Sequence, residues 1–350
     1  MKISDTDSIL RIGFIGAGGI ARSQHLPRLR RIAGAEVRVV CNRSEQSSRA
    51  VADEFEIPEV ESDWQRLVER DDLDAVFIGT WPYTHEQMSI AALEAGKHVF
   101  CQSRMAMNLA EARAMADAAD RHPNLVAMLC PPPHRMPWEP YIRKLLDTGE
   151  LGELREVRLV SVSPANLGPL TWRERVEYAG QQMLQVGIWA ETLHAWVGEY
   201  ETLHAALATP LYTKHDQQGQ PCDVRVPQSV AVHGRLVSGA IISEHHSGLS
   251  PHENLNFVSI YGSKATLRVD AMQAIRFAPV GRELTTVDVP ADLQRPWRAE
   301  QDFVDAVRAA SAGEAWEVSP SFHEGVRYMA KVAAIHAAHE TGMALQPAAL

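Results

Sequence analysis

Five short apolar runs recur along the first third of the chain, at Arg11–Ile15, Val37–Cys41, Ala75–Gly79, His98–Cys101 and Leu125–Leu129, and each reads as a strand. The stretches between them carry helix punctuation. Ser62 followed by Gln65, and Asn108 followed by Glu111, resemble capping boxes, in which side chains satisfy the N–H groups left open at a helix start. Gly96 suits the left-handed residue that closes a helix, and Lys97–Phe100 restarts the chain as a strand. Strand–helix alternation of this kind predicts an α/β domain of Rossmann type, a doubly wound parallel sheet covered on both faces.

Pro131-Pro132-Pro133 stops regular structure, and the pattern changes beyond it. A helix is predicted at Trp138–Asp147, ended near Gly149. The runs Glu156–Ser163, Val230–Val237, Ala240–His245, Asn256–Tyr261 and Thr266–Asp270 are separated by short turns such as Ser238-Gly239 and Gly262-Ser263. That spacing predicts an antiparallel sheet in a C-terminal α+β domain. Helical periodicity interrupts it at 172–197 and 297–310, and Phe322–His339 reads as a closing helix.

Composition changes this picture little. A chain of 350 residues exceeds one hydrophobic core, so two domains are expected, 1–130 for a dinucleotide and 131–350 for substrate and oligomer contacts. The net charge of -10 argues against nucleic acid as a partner and leaves small phosphorylated ligands open. No apolar run approaches membrane-helix length, and Met1–Asp7 is polar and acidic, unlike a signal peptide, so a cytoplasmic protein is expected. Cys41, Cys101, Cys130 and Cys222 are widely spaced with no C-x-x-C pair, against a disulfide framework or a zinc site. No metal is expected.

The chemistry begins at Gly16-Ala17-Gly18-Gly19-Ile20-Ala21, which follows the first strand directly and opens a helix. In that context the first Gly permits a tight turn and the second lets backbone N–H groups approach a pyrophosphate. Ala21, at the third position, allows close helix–strand packing. An acidic residue at the end of the second strand would bind the ribose 2′-hydroxyl of NAD; the chain reads Asn42-Arg43-Ser44 instead. Arg43 and Ser44 can hold a 2′-phosphate, so NADP is expected, with NAD the alternative. Read without a ligand, Arg43 is a solvated residue and Ser44 a helix cap.

With these residues the chain resembles the glucose–fructose oxidoreductase, inositol dehydrogenase and rhizopine-catabolism (Gfo/Idh/MocA) family. The resemblance rests on Gly13–Ala21, Thr80-Trp81-Pro82-Tyr83-Thr84-His85, Ala91–Cys101, Leu145–Gly152 and Tyr261–Leu267. It implies an N-terminal nucleotide domain, a C-terminal domain built on a large open, mostly antiparallel mixed sheet, oxidation or reduction of hydroxyls on sugars, cyclitols or related small molecules, and homodimers or homotetramers formed through the outer face of that sheet. It also implies cofactor contacts from Thr80, Trp81, His85 and Gln102. Typical members read Glu-Lys-Pro after the Lys97–Cys101 strand, with the lysine beside the nicotinamide; here the residues are Gln102, Ser103 and Arg104. A second family motif carries two acids and a histidine, which here are Gln185, Thr192 and Trp189 around a retained Gly187.

Hydride transfer from an alcohol needs a base for the hydroxyl proton, and Ser103, Gln185, Trp189 and Thr192 do not provide one at neutral pH. At helical spacing 185, 189, 192 and 196 share a face and are expected to line one pocket wall, with Gln185 and Trp189 toward a substrate. The resemblance adds Arg135, Trp172 and Arg173 as substrate candidates, the last two serving equally well as packing, and Arg104 restores a charge near the missing lysine, able to hold a substrate carboxylate or the cofactor's phosphates. His85 matches a family histidine that is usually structural, and His134 precedes Arg135 after the proline run. His245 and His246, adjacent on a strand, point to opposite faces. His194 reads as a surface or packing residue, and the strand-end cysteines as small apolar packing. Three functions remain open: an NAD(P)-dependent oxidoreductase with an altered proton-transfer site, a redox-neutral lyase, hydrolase or isomerase retaining a nucleotide, and a non-catalytic NADP-binding sensor.

Overall fold

The computed structural model describes residues 9–135, 137–216 and 218–350; the Met1–Asp7 stretch lies outside them. The chain forms two compact units. One runs to Pro131 and takes back Arg298–Val326, and the other holds Pro132–Trp297 with Arg327–Leu350.

The first unit is built on strands β1 (Leu10–Ile15), β2 (Ala35–Cys41), β3 (Glu59–Val60), β4 (Ala75–Ile78), β5 (His98–Cys101) and β6 (Ala127–Leu129), in the order β3-β2-β1-β4-β5-β6. Every pairing is parallel. β4 and β5 are buried at every residue, as continuous apolar runs in a two-sided sheet require. β3 is too short to leave a periodic signal. The first helix opens at Gly19, passes through a π turn at Ala21–His25 and continues as α1 (Leu26–Leu29). It is followed by α2 (Glu45–Phe55), α3 (Trp64–Val68), α4 (His85–Glu94) and α5 (Leu109–Arg121). Asn108 caps α5, its Oδ1 accepting from Glu111 N–H at 3.0 Å. At α3 the expectation needs correcting: Asp63, not Ser62, is the cap, accepting from Gln65 N–H at 2.9 Å. A carboxylate there also meets the positive end of the helix dipole. Gly96 takes the left-handed conformation, with φ 74°.

Residues far along the chain complete this unit. On the helix Ala299–Ser311, Phe303 packs edge-on against Phe77 and Phe100, with ring centroids 5.2 and 5.7 Å away. Leu129 N–H donates to the Pro320 carbonyl at 2.8 Å.

The second unit holds α6 (Glu139–Asp147), β7 (Leu154–Val162), α7 (Val176–Ala179), α8 (Val186–Val197), β8 (Tyr200–Ala208) and a small ribbon of β9 (Thr213–His215) with β10 (Pro221–Asp223). Strands β11 (Ser229–Leu236), β12 (Ile241–Ser247), β13 (Leu255–Gly262), β14 (Ala265–Asp270), β15 (Ala274–Pro279) and β16 (Thr285–Thr286) follow. Ala299–Ser311 is then α9, and Phe322–Thr341, α10, crosses from the first unit to the second at Arg327. The eight-stranded sheet has the order β16-β15-β14-β13-β7-β12-β11-β8, antiparallel except where β12 meets β7. His245 is exposed and His246 buried, as strand alternation requires. The stretch read as helical at 172–197 is broken: a 3-10 turn at Trp172–Glu174, then α7, then a gap in which Gly180 and Leu184 take positive φ.

Buried between this sheet and α10 is an ionic cluster. The Lys331 ammonium lies 2.5 Å from Glu244, the Tyr200 hydroxyl donates to the same carboxylate, and His246 Nε2 is 3.0 Å away. Burial alone would raise the Glu244 carboxyl; Lys331 and His246 outweigh it and hold it below its usual range. No helix among the described residues is long and apolar enough to cross a membrane.

Candidate functional site

The carboxyl edge of the parallel sheet gathers most of the expected residues. In this strand order the topology reverses between β1 and β4, where such sheets bind ligands. Gly16 sits there with φ 80°, and a side chain at its Cα would meet Thr80 N at 2.6 Å. Gly18 and Gly19 face open space instead. The first intrahelical donor is Arg22 N–H, to the Gly18 carbonyl. The N–H groups of Gly19, Ile20 and Ala21 thus come before the helical ladder, at the end where partial positive charge collects. Ala21 is buried, giving the close packing expected of it, while Ile20 is exposed.

Asn42 holds this loop in place. Its Oδ1 accepts from Ala17 N–H at 2.7 Å, and its own N–H donates to Ser48 Oγ at 2.8 Å. Arg43 is exposed at the end of β2, its guanidinium 5.6 Å from the centre of the Trp81 ring beyond β4. Two candidates read separately from the sequence therefore meet. Ser44 caps α2, accepting from Ser47 N–H at 3.3 Å.

Beyond β5 the side chains are held from below. Gln102 Oε1 lies 2.8 Å from Nε2 of His25, whose Nδ1 lies 2.6 Å from Glu300 on α9. His25 and Glu300 are both buried. The Ser103 hydroxyl donates to the Cys130 carbonyl at 2.6 Å, and Arg104 is buried. His85 is fully buried, with the carbonyls of Arg104 and Met105 at Nδ1 (2.9 and 3.1 Å) and that of Thr80 at Nε2 (3.1 Å). Burial lowers its pKa. It ties the loop after β4 to the loop after β5. Burial also pushes the thiols up, to about 11 for Cys41 and about 12 for Cys101, which fits packing.

In the second unit Gln185, the residue before α8, accepts from His134 Nε2 at 3.1 Å and from Asn256 Nδ2 at 3.2 Å. Trp189 Nε1–H donates to Asn256 Oδ1 at 2.8 Å, and its ring stacks on His134, centroids 4.7 Å apart. The open wall expected from 185, 189, 192 and 196 does not form beyond Gln185. Trp189, Thr192 and Trp196 are buried, because the apolar face of α8 is taken up in the core of the unit. The Thr192 hydroxyl donates to the Ile188 carbonyl, and Trp196 Nε1–H to Glu139 at 2.7 Å. Arg135 lies 3.0 Å from Glu139 and 3.9 Å from Glu191, binding α6 to α8. Arg173 lies over the Trp172 ring at 4.4 Å. Their turn is fixed by a Thr171–Glu174 capping box, and Glu174 pairs with Lys214 at 2.8 Å. His194 packs against the interior, where burial holds its pKa down at about 3.

Residues 10–129 match the oxidoreductase family described as NAD-binding Rossmann fold, and residues 141–268 match the GFO/IDH/MocA C-terminal domain. The chain belongs to the Gfo/Idh/MocA oxidoreductase family. One relative, dTDP-3,4-didehydro-2,6-dideoxy-alpha-D-glucose 3-reductase of Saccharopolyspora spinosa, is 27% identical, the match covering 75% of this chain and 74% of that protein. Levoglucosan dehydrogenase of Pseudarthrobacter phenanthrenivorans is 26% identical over 74% of this chain and 73% of its own. The solved structure of a levoglucosan dehydrogenase in complex with NADH shares the fold, with a TM-score of 0.85 at 22% identity over 97% of this chain and 99% of that one.

For a Gfo/Idh/MocA chain the nucleotide end is well formed: open space before Gly18 and Gly19, N–H groups ahead of the ladder and a braced loop suit a dinucleotide pyrophosphate. His25, Glu300 and Asn256 were missed in the sequence. Each acquires its role from a partner at least 67 residues away, and none carries a spacing signal.

Proposed function

We propose that this Gfo/Idh/MocA protein is an NADP-dependent oxidoreductase acting on a small cyclic hydroxylated molecule, a sugar, cyclitol or dihydrodiol, with an altered proton-transfer site. The observation that carries the cofactor choice is the end of β2, where Arg43 stands exposed against the Trp81 ring and Asn42-Arg43-Ser44 takes the place of an acidic residue that would bind a ribose 2′-hydroxyl. When bound, the dinucleotide supplies the hydride acceptor. Gly16–Ala21 holds its pyrophosphate, Asn42 keeps the loop in register, and Gln102 is steadied by His25. The relatives named above support the substrate class.

The residues at the family's proton-transfer positions do not take up a proton here. The Ser103 and Thr192 hydroxyls are spent on carbonyls, and the Trp189 ring nitrogen only donates. Tryptophan fluorescence titration of the purified protein is expected to give at least tenfold tighter binding of NADP than NAD; tighter NAD overturns the cofactor choice. Levoglucosan, myo-inositol and the cis-dihydrodiol of benzene form the substrate panel, read at the reduced-nicotinamide absorbance band. Turnover of one supports the reading, and a flat trace on all three with tight NADP binding favours a ligand sensor instead.

We further propose a homodimer or homotetramer through the outer face of the eight-stranded sheet. Ala206, Ala231, His245, Val160 and Phe257 line up in one row across it, mostly apolar and outward. A monomer in sedimentation at micromolar concentration overturns this.

A further inference from the structure

The parallel sheet of the first unit lays out its ligand edge in register. Ile15 pairs with Cys41 on one side and with Ile78 on the other, and Ile78 pairs with Cys101. Asn42, Gly16, Gly79 and Gln102 therefore follow one another across the carboxyl edge, each about 4.8 Å from the next. With a pyrophosphate on the glycine loop after β1 and the adenosine half toward Arg43 after β2, the nicotinamide half runs toward β5. Gln102 stands there, half-buried and about two strand spacings from Gly16.

The direction of its side chain is fixed from below. Gln102 Oε1 is turned inward, 2.8 Å from His25 Nε2, and Nδ1 of the same ring lies 2.6 Å from the Glu300 carboxylate. Both neighbours are oxygens, so the ring donates from both nitrogens and the carboxylate balances its charge. The Phe100 and Phe77 rings stand edge-on to His25, centroids 5.5 and 6.5 Å away, and keep it from turning. His25 and Glu300 are buried and out of reach of a ligand. Gln102 is not, and with its oxygen held inward its Nε2 group is the end left for one. A buried ion pair is a poor source of stability, since apolar residues of similar volume do as well or better. This one ends on a half-exposed amide.

We propose that Glu300 and His25 are positioning residues for the nicotinamide half of the dinucleotide, and that Gln102 touches it, donating from Nε2 to an oxygen of the ribose or the carboxamide. This rests on the dinucleotide reading above. Typical family members carry an acid at position 102, which accepts; the amide supplies a donor in its place. Glu300 comes from α9, in the segment that the first unit takes back from far along the chain. That segment completes the cofactor site as well as the core.

Calorimetric titration of the full-length protein with NADP, and with 2′,5′-ADP, which lacks the nicotinamide half, separates the two ends of the site. The wild type is expected to bind NADP at least fivefold more tightly than 2′,5′-ADP; equal affinities overturn the inference. Should the wild type prefer NAD, the pair becomes NAD and ADP. Gln102→Ala and Glu300→Gln are each expected to weaken the dinucleotide about fivefold, the loss of one hydrogen bond, and to leave the half-molecule within twofold. An unchanged dinucleotide affinity, or an equal loss of both probes, overturns the role of the residue concerned. The double variant is expected to match Gln102→Ala alone, because Glu300 acts through Gln102; losses that multiply overturn the positioning role. A wild type that binds no member of either pair overturns the dinucleotide reading and this inference with it.

Discussion

Arg43 and Asn42 are neighbours in the chain with different tasks. Arg43 is exposed and has a ring to lie against, whereas Asn42 is hydrogen-bonded to Ala17, Ser47 and Ser48 within its own unit. Arg43→Asp is therefore expected to reverse the NADP preference to NAD with little change in melting temperature, measured by paired titrations of the two cofactors. Asn42→Ala removes the acceptor of Ala17 N–H and leaves the glycine loop unbraced. Losing one such bond is worth about 1 kcal/mol, so both cofactors should bind roughly fivefold more weakly in the same titrations. The glycines and Arg43 were legible because their chemistry is local to one strand–loop–helix segment. His25 was not: it is one polar residue on a helix until Gln102 and Glu300, 77 and 275 positions away, close on its two ring nitrogens.

Among the elements of the second unit, β8, β15, the two-residue β16 and the β9–β10 ribbon escaped the sequence reading. β8 reads Tyr-Glu-Thr-Leu-His-Ala-Ala-Leu-Ala, rich in good helix formers, yet eight register positions against β11 hold it extended. Its first residue, Tyr200, joins the cluster through which α10 meets the sheet. Lys331→Met would leave the Glu244 carboxylate buried without its cation, which costs about 3–5 kcal/mol. A drop in melting temperature of roughly 10 °C is expected in calorimetry. Adding Glu244→Gln should recover a substantial part of it; no recovery would show that the loss lies in the Lys331 stem and not in the stranded charge. Capping residues were partly legible. Asn108 was identified correctly, whereas Asp63 was overlooked in favour of its neighbour because several polar residues in a row leave the cap position open.

For the whole molecule, the buried and half-buried histidines set the response to acid. His98 is held at about 4 and His194 at about 3, and His85 and His134 are also lowered, all chiefly by burial. The unfolded chain therefore binds more protons than the folded one below the ordinary histidine pKa of 6.5. Stability is full above that pH and falls as the pH drops toward 4, by at most about 1.4 kcal/mol per pH unit for each such histidine. Glu244 and Asp74, held below their usual range, extend the loss to lower pH. Urea midpoints between pH 7.5 and 4.5 should decline steadily, and a flat profile would contradict the burial of these rings. The sequence by itself determined the parallel strand–helix alternation of the first unit, the antiparallel character of the second sheet and the glycine loop, because periodicity, turn residues and caps act over a few neighbouring positions. Tertiary structure decided how the polar groups are used. Ser103 and Thr192 are spent on carbonyls, and His25 is set by a carboxylate 275 positions away, since a buried donor must find an acceptor wherever the fold places one.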